Sequence, residues 1–254
     1  MITSKQWREY IDAHNKIQNA ARDELLKFYD SMPWETNKRA SLAALIDKAI
    51  EVANTYGLAD ATLSAGFYDE LMSMYGVDFP PAEIANIVPA FVSEDIAQAV
   101  AKATSTQAAR ALVDGVIKGQ VKRVGVETMR NNAIRDGVMW AWVCIGDTCA
   151  FCRVLGSNGF QYASKNVRDG KHAEHIHGNC DCQFVVKPEG ESLEIEGYDP
   201  AALAREYDDS DGRNSKDKIN AMRRAGYTEE YAAIRNARRR ELYADAKEQE
   251  SNTD

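Results

Sequence analysis

A cluster of cysteines and histidines in the middle of the chain constrains the fold more than any other feature. Four of the five cysteines and three of the four histidines lie between Cys149 and Cys182. They form two close groups, the first being Cys149 and Cys152 and the second being His172, His175, His177, Cys180 and Cys182. Ligands two or three residues apart can hold one ion from a single turn, and tetrahedral zinc sites are usually assembled from two such pairs. The cluster therefore predicts a small module built around these side chains.

Length and charge narrow the class of protein. The 254 residues can form one large domain or two modest ones, and a hydrophobic content of 44% supports a sizeable core. The net charge of −8 argues against a dedicated nucleic-acid-binding protein, which normally carries a basic surplus. We expect no membrane span and no secretory signal, and therefore a cytoplasmic site of synthesis where thiols stay reduced.

Residues 1–137 are predicted to form a helical body. Thr3 and Gln6 can form a capping box at the start of the first helix. Apolar residues then recur at helical spacing: Trp7, Tyr10, Ile11, His14, Ile17, Ala21, Leu25 and Phe28. His14 lies on this face, so we interpret it as a core or boundary histidine rather than a ligand.

Further helices are predicted along the rest of this body. One begins near Asn37 and runs toward Gly57, a second covers residues 59–75, and short helices carry Ile84, Ile87, Phe91 and Ile96. A longer helix is predicted over residues 106–136, with charged and amide side chains at its end on a solvated face.

The pattern changes after Gly137, where residues 138–188 are predicted to form a small β-rich module. Strands are expected at 138–144 and 182–186, and a strand, glycine turn and second strand at 154–162. An acidic loop is predicted over 189–212 and a basic helix with an acidic tail over 213–254. The overall prediction is an α+β fold with a helical N-terminal body, a Cys/His module and a C-terminal helix.

Charge in the C-terminal segment is uneven. Residues 213–240 contain nine basic residues and three acidic ones, namely Arg213, Lys216, Lys218, Arg223, Arg224, Arg235, Arg238, Arg239 and Arg240 against Asp217, Glu229 and Glu230. Such a helix could contact an acidic partner or the DNA backbone. A solvated helix face is the alternative, which we slightly favour.

Zinc is the cofactor that the cluster predicts. Cys149 and Cys152 supply one ligand pair, and His177 with Cys180, Cys182 or both supplies the other. His172 and His175 are additional candidates in a polar loop. The alternative is a module stapled by buried thiols and hydrogen-bonded histidines without metal.

A catalytic role is the less favoured interpretation. A catalytic zinc keeps one coordination position open and needs a nearby general base. His172 and Glu174 have a histidine–glutamate spacing found in zinc deaminases, but in those enzymes the cysteine pair follows this motif, whereas Cys149 and Cys152 precede it. We therefore assign no catalytic residue and predict a non-enzymatic protein.

Three short motifs resemble a known family. They are Gly146-Asp147-Thr148-Cys149-Ala150-Phe151-Cys152 with the preceding Trp142-Val143, then Gly159-Phe160-Gln161-Tyr162-Ala163-Ser164, and finally His177-Gly178-Asn179-Cys180-Asp181-Cys182. Together they are similar to the signature of MuF-like minor head proteins of tailed bacteriophages, in the form found in phages of actinobacteria.

The resemblance implies a structural role. Such proteins are minor capsid or head morphogenesis proteins, associated with the portal inside the head, that aid assembly and DNA packaging or ejection. The metal-binding residues would be Cys149, Cys152, His177, Cys180 and Cys182. The implied partners are portal and capsid proteins, with packaged DNA at the basic 213–240 helix and no membrane. The protein would be found in the virion and, during assembly, in the host cytoplasm. A head maturation protease or a metal-dependent nuclease is the alternative function.

Overall fold

Four long helices open the chain, and a small sheet and three shorter helices follow in the described residues. The structure is a computed structural model that describes residues 1–162 and 178–225. The long helices are α1 (Ser4–Asp30), α2 (Lys38–Met74), α3 (Pro89–Lys102) and α4 (Thr106–Asp136). The later elements are β1 (Met139–Val143), α5 (Ala150–Gly156), β2 (Gln183–Lys187), α6 (Pro200–Asp208) and α7 (Ser215–Ala225). The predicted α+β class is confirmed.

The chain divides into two compact units. Among the described residues, the first unit contains 1–148, 158–162 and 178–199, and the second contains 149–157 and 200–225. The helical body and the sheet belong to the first unit, whereas α5, α6 and α7 belong to the second. The four-segment division expected from the sequence stays a prediction, and the part of its basic helix and tail beyond residue 225 lies outside the described residues.

Local capping defines the ends of the long helices. The Thr3 hydroxyl accepts a hydrogen bond from the amide of Gln6, and the Gln6 side chain accepts one from the Thr3 amide, which is the predicted capping box. Asn37 and Ser105 cap α2 and α4 in the same way with their side-chain oxygens. Gly137 ends α4 in the left-handed conformation, with φ of 67°.

The core of the first unit lies between the four long helices. Helix α4 packs against α1, α2 and α3 and also against β2. The buried apolar side chains along these contacts include Leu25, Leu45, Val52, Val92, Ile96, Val113, Ile117 and Val121. Full burial of each large aliphatic side chain contributes about 1.5–3 kcal/mol, so this cluster is the main driving force for the bundle.

Helix α2 is one continuous helix through Gly57, so the predicted break near that residue was wrong. A Cβ atom on Gly57 would lie 2.9 Å from Cγ2 of Val124 and 3.1 Å from Cγ2 of Ile87. The glycine is therefore a packing residue that lets α4 approach α2 closely. Sequence alone cannot separate this role from that of a helix terminator, because both favour the smallest residue.

The segment between α2 and α3 is extended, so the short helices expected around Ile84 and Ile87 do not form. Two side chains of α4 bind its backbone instead. Asn132 accepts a hydrogen bond from the amide of Glu83 and donates one to its carbonyl, and Thr128 accepts one from the amide of Ala85. Asn132 is buried, which corrects the prediction of a solvated face at the end of α4.

Strands β1 and β2 form an antiparallel pair with Ala141 opposite Val185, which confirms both predicted strands. An aromatic cluster stabilises this pair. The ring of Phe184 stacks on Trp140 with centroids 4.5 Å apart and meets Trp142 edge-on at 5.4 Å. The strands predicted within residues 154–162 were wrong, because Cys149 caps a helix that runs to Gly156 and leaves Gln161 as an isolated bridge partner of Trp140.

In the second unit, helix α6 lies within the segment predicted as an acidic loop. Pro200 begins this helix, where a missing amide costs nothing, and the following Ala201, Ala202 and Leu203 are strong helix formers. The acidic composition of the flanking residues concealed this local preference. Glu206 of α6 pairs with the guanidinium of Arg153 on α5, while α7 confirms the predicted return to helix as far as Ala225.

Two glycine substitutions test the close packing of α4 on α2. Gly125→Ala should lower the free energy of unfolding by about 1–3 kcal/mol, because the new methyl group would overlap the Asp60 carboxylate and lie 2.6 Å from the Ser64 hydroxyl. Gly66→Ala is the matched control, since a Cβ there meets no heavy atom within 4 Å and a helix gains about 1 kcal/mol from the exchange. Denaturant unfolding measures both, and equal effects of the two variants would contradict the packing.

Candidate metal centre

The first cysteine pair lies at the start of helix α5 in the second unit. Cys149 is the N-cap residue, and its Sγ accepts a hydrogen bond from the Cys152 amide at 3.4 Å. Cys152 is buried and Cys149 is half-buried. This amide-to-sulfur bond orients the Cys149 side chain.

The second cysteine pair lies in the first unit. Cys180 and Cys182 are both buried and precede β2, which begins at Gln183, so they are not on the strand as the sequence suggested. The buried ammonium of Lys122 on α4 donates to the Cys180 carbonyl at 2.7 Å and to Cys182 Sγ at 3.3 Å. The second pair is therefore attached to the helical body through this side chain.

Asp181 connects the second cysteine pair to the residues that precede the first one. Its amide donates to the Asp147 carbonyl at 3.0 Å, and its carboxylate accepts from the Asp147 amide at 2.9 Å. Asn15 of α1 donates to the other carboxylate oxygen at 3.2 Å. Gly146 makes the approach possible, because it has φ of 89° and a Cβ there would lie 2.7 Å from Asp181.

These contacts alter the acidity of the connecting segment. Burial raises the pKa of the Asp147 carboxyl group, and the nearby negative groups of Asp181 and Cys180 raise it further. Both carboxylate oxygens of Asp181 accept structural hydrogen bonds. Asp181 therefore acts as a clip that holds the backbone of Asp147.

The cysteines have the chemistry that a metal requires. All five are thiols rather than disulfides. These cysteines could bind a metal, because cysteine sulfur is a preferred ligand of zinc. His172, His175 and His177 lie outside the described residues, so the assignment of His177 as a ligand stays a prediction.

Two buried polar side chains lie in the first unit, one expected from the sequence and one not. His14 is buried, as expected, and its Nδ1 lies 2.7 Å from Oδ1 of the buried Asp60. Lys122 was not singled out from the sequence, where a lone lysine among Val121, Val124 and Gly125 resembles an ordinary solvated helix residue. In the structure most residues of α4 between Ile117 and Ala133 are buried, polar ones included, which leaves little solvated face at this point of the helix.

The fold and the paired cysteines describe a mainly helical α+β protein with a thiol-rich segment between its strands. The chain belongs to the VG15 protein family, whose model matches residues 1–210. This membership indicates a phage-encoded protein. No curated protein and no solved structure matches the chain. Within the described residues, every helix is too short or too polar to cross a membrane.

A single substitution tests the clip formed by Asp181. Asp181→Ala removes the acceptor of the Asp147 amide, so hydrogen exchange in a peptide covering residues 145–149 should accelerate by about tenfold, the equivalent of about 1.4 kcal/mol for one charged hydrogen bond. Asp12→Ala, which removes an exposed carboxylate of α1, is the control and should leave this peptide unchanged. Identical exchange in both variants would show that Asp181 does not hold the segment.

Proposed function

We propose that this protein is a minor head protein of a tailed phage or prophage, of the MuF-like kind. It would act inside the head next to the portal, where it aids assembly and DNA packaging or ejection. The observation that carries the proposal is the family match over residues 1–210, which includes the helical body and both cysteine pairs. The cysteine motifs that resemble the MuF-like signature lie within this matched range.

The proposal includes a structural zinc ion held by Cys149, Cys152, His177, Cys180 and Cys182, with the final ligand set chosen among them. Two features of the described residues support this donor set. The cysteines are thiols, and Asp147 and Asp181 exchange two hydrogen bonds that join the segments flanking the two pairs. Zinc in such a sulfur-rich site contributes its binding free energy to folding. Its role would be that of a staple, which keeps the module closed without an open coordination position.

Contacts with other head components are part of the same proposal. Portal and capsid proteins are the proposed protein partners, and packaged DNA is a second partner at the basic C-terminal segment. Arg213, Lys216, Arg223 and Arg224 are exposed in and beside α7, which supports an electrostatic contact with phosphate. Residues 226–240, which carry the rest of the basic charge, lie outside the described residues.

We propose a non-enzymatic role. The carboxylate of Asp181, within the second cysteine segment, accepts hydrogen bonds from the Asp147 amide and the Asn15 side chain, a structural use that supports this proposal over a general base at that position. A head maturation protease or a metal-dependent nuclease is the alternative, and the experiments below separate it from the structural role.

Metal analysis tests the zinc staple. Purified protein should contain about one zinc per chain, and Cys149→Ser should lose most of the metal and melt at a lower temperature. Cys144→Ser is the matched control, because Cys144 is a buried thiol outside both pairs and should retain its zinc. Elemental analysis by mass spectrometry, with a thermal melt, measures both properties. A Cys149→Ser protein with unchanged zinc and unchanged melting would remove the staple from the proposal.

Analysis of phage particles tests the biological role. Mass spectrometry of procapsids and mature virions should detect the protein in both at low copy, because a structural component stays in the particle. Deletion of its gene should reduce the yield of infectious particles while the major capsid protein is still processed normally. Complementation with the wild-type gene is the control. Detection in procapsids alone, with capsid processing lost on deletion, would favour the protease.

A further inference from the structure

Lys122 is a buried cation in the middle of helix α4. It is 1% exposed, although lysine is almost never fully buried unless it is paired. Removing an ammonium group from water carries a large desolvation cost, so its surroundings must supply strong compensating contacts. The position of this side chain therefore requires a specific explanation.

The contacts of Lys122 converge on the second cysteine pair. Its Nζ donates to the Cys180 carbonyl at 2.7 Å and to Cys182 Sγ at 3.3 Å. One side chain thus binds the backbone of the first cysteine and the sulfur of the second. This arrangement restrains both the backbone path of the segment and the orientation of the Cys182 side chain.

A buried carboxylate on α2 also interacts electrostatically with Lys122. Asp60 of α2 is 1% exposed and binds His14. Burial raises the pKa of the Asp60 carboxyl group, while the positive charges of His14 and Lys122 oppose that rise. Lys122 therefore links the polar centre of the helical body electrostatically to the cysteine segment.

Two neighbouring contacts hold the same segment against the helices. Gly178 lies so close to α4 that a Cβ there would overlap Lys118 and lie 2.7 Å from the Gly119 nitrogen. Asn15 of α1 donates to Asp181. Residues 178–182 therefore pack closely against the surface of the helical body.

We propose that Lys122 is a positioning residue of the zinc centre, which holds Cys180 and Cys182 against α4 in a geometry ready for metal. This inference rests on the zinc staple of the proposed function. Outer contacts that orient metal ligands strengthen metal binding, because less conformational freedom is lost when the ion binds. The same connection makes zinc binding and the local stability of α4 mutually dependent.

Zinc affinity of a lysine variant tests this role. Lys122→Met keeps the length of the side chain and removes its donors, so the zinc dissociation constant should rise by about 10- to 100-fold in competition with a chromophoric chelator. Lys48→Met is the matched control, because Lys48 pairs with Glu24 and Glu51 at the surface of the same unit and should leave the affinity unchanged. Circular dichroism checks that both variants retain their helix content. Equal affinities of Lys122→Met and wild type would overturn the inference.

Hydrogen exchange of the wild-type protein provides a second test that does not depend on folding of the variant. Amides of α4 over residues 118–126 should exchange more slowly with zinc than after chelation, because the metal fixes the segment that Lys122 binds. Residues 42–52 of α2 serve as the internal reference. Exchange over residues 118–126 that does not change with zinc would overturn the coupling.

The two proposals fail in different ways. A wild-type protein that binds no zinc would overturn both the staple and the positioning role of Lys122. A wild-type protein that binds zinc, together with a Lys122→Met variant that binds it equally well, would overturn the positioning role and leave the staple intact.

Discussion

Close packing of α4 against α2 is the constraint on which the first unit depends. Gly57 on one helix and Gly125 on the other remove the side chains that would keep the helices apart. Because α4 also contacts α1, α3 and β2, its position sets the geometry of the bundle and of the sheet. The same helix carries Lys122 and supplies the surface against which Gly178 packs, so the approach to the second cysteine pair follows from this helix contact.

The interior of the first unit contains buried polar groups. His14 and Asp60 are both 1% exposed and bind each other, and Lys122 is buried to the same extent. Opposite charges compensate part of the desolvation cost of such groups, but an unpaired partner would be strongly unfavourable. These residues therefore restrict how α1, α2 and α4 can pack. Through Lys122 they also connect the helical body to the thiol-rich segment.

The proposed zinc is structural rather than catalytic, and the contacts of Asp181 support that proposal. Asp181 uses its carboxylate to hold the Asp147 amide and the Asn15 side chain, which leaves it as a clip rather than a base. Sulfur-rich zinc sites with all positions filled by protein are usually structural. In the proposed function, zinc bound by these thiols would contribute its binding free energy to folding.

The sequence by itself determined the helical body, the capping of α1 and the two strands, because these depend on local spacing and on caps a few residues apart. The tertiary structure decided the packing role of Gly57, the burial of Lys122 and the hydrogen bonding of Asp181, since each depends on atoms distant in the sequence. Residues 154–156 were predicted as strand and residues 200–208 as part of an acidic loop, but both are helical because capping and helix propensity prevailed. A lysine has the same local preferences whether it is solvated or buried, and packing against Cys180 and Cys182 is what distinguishes the two.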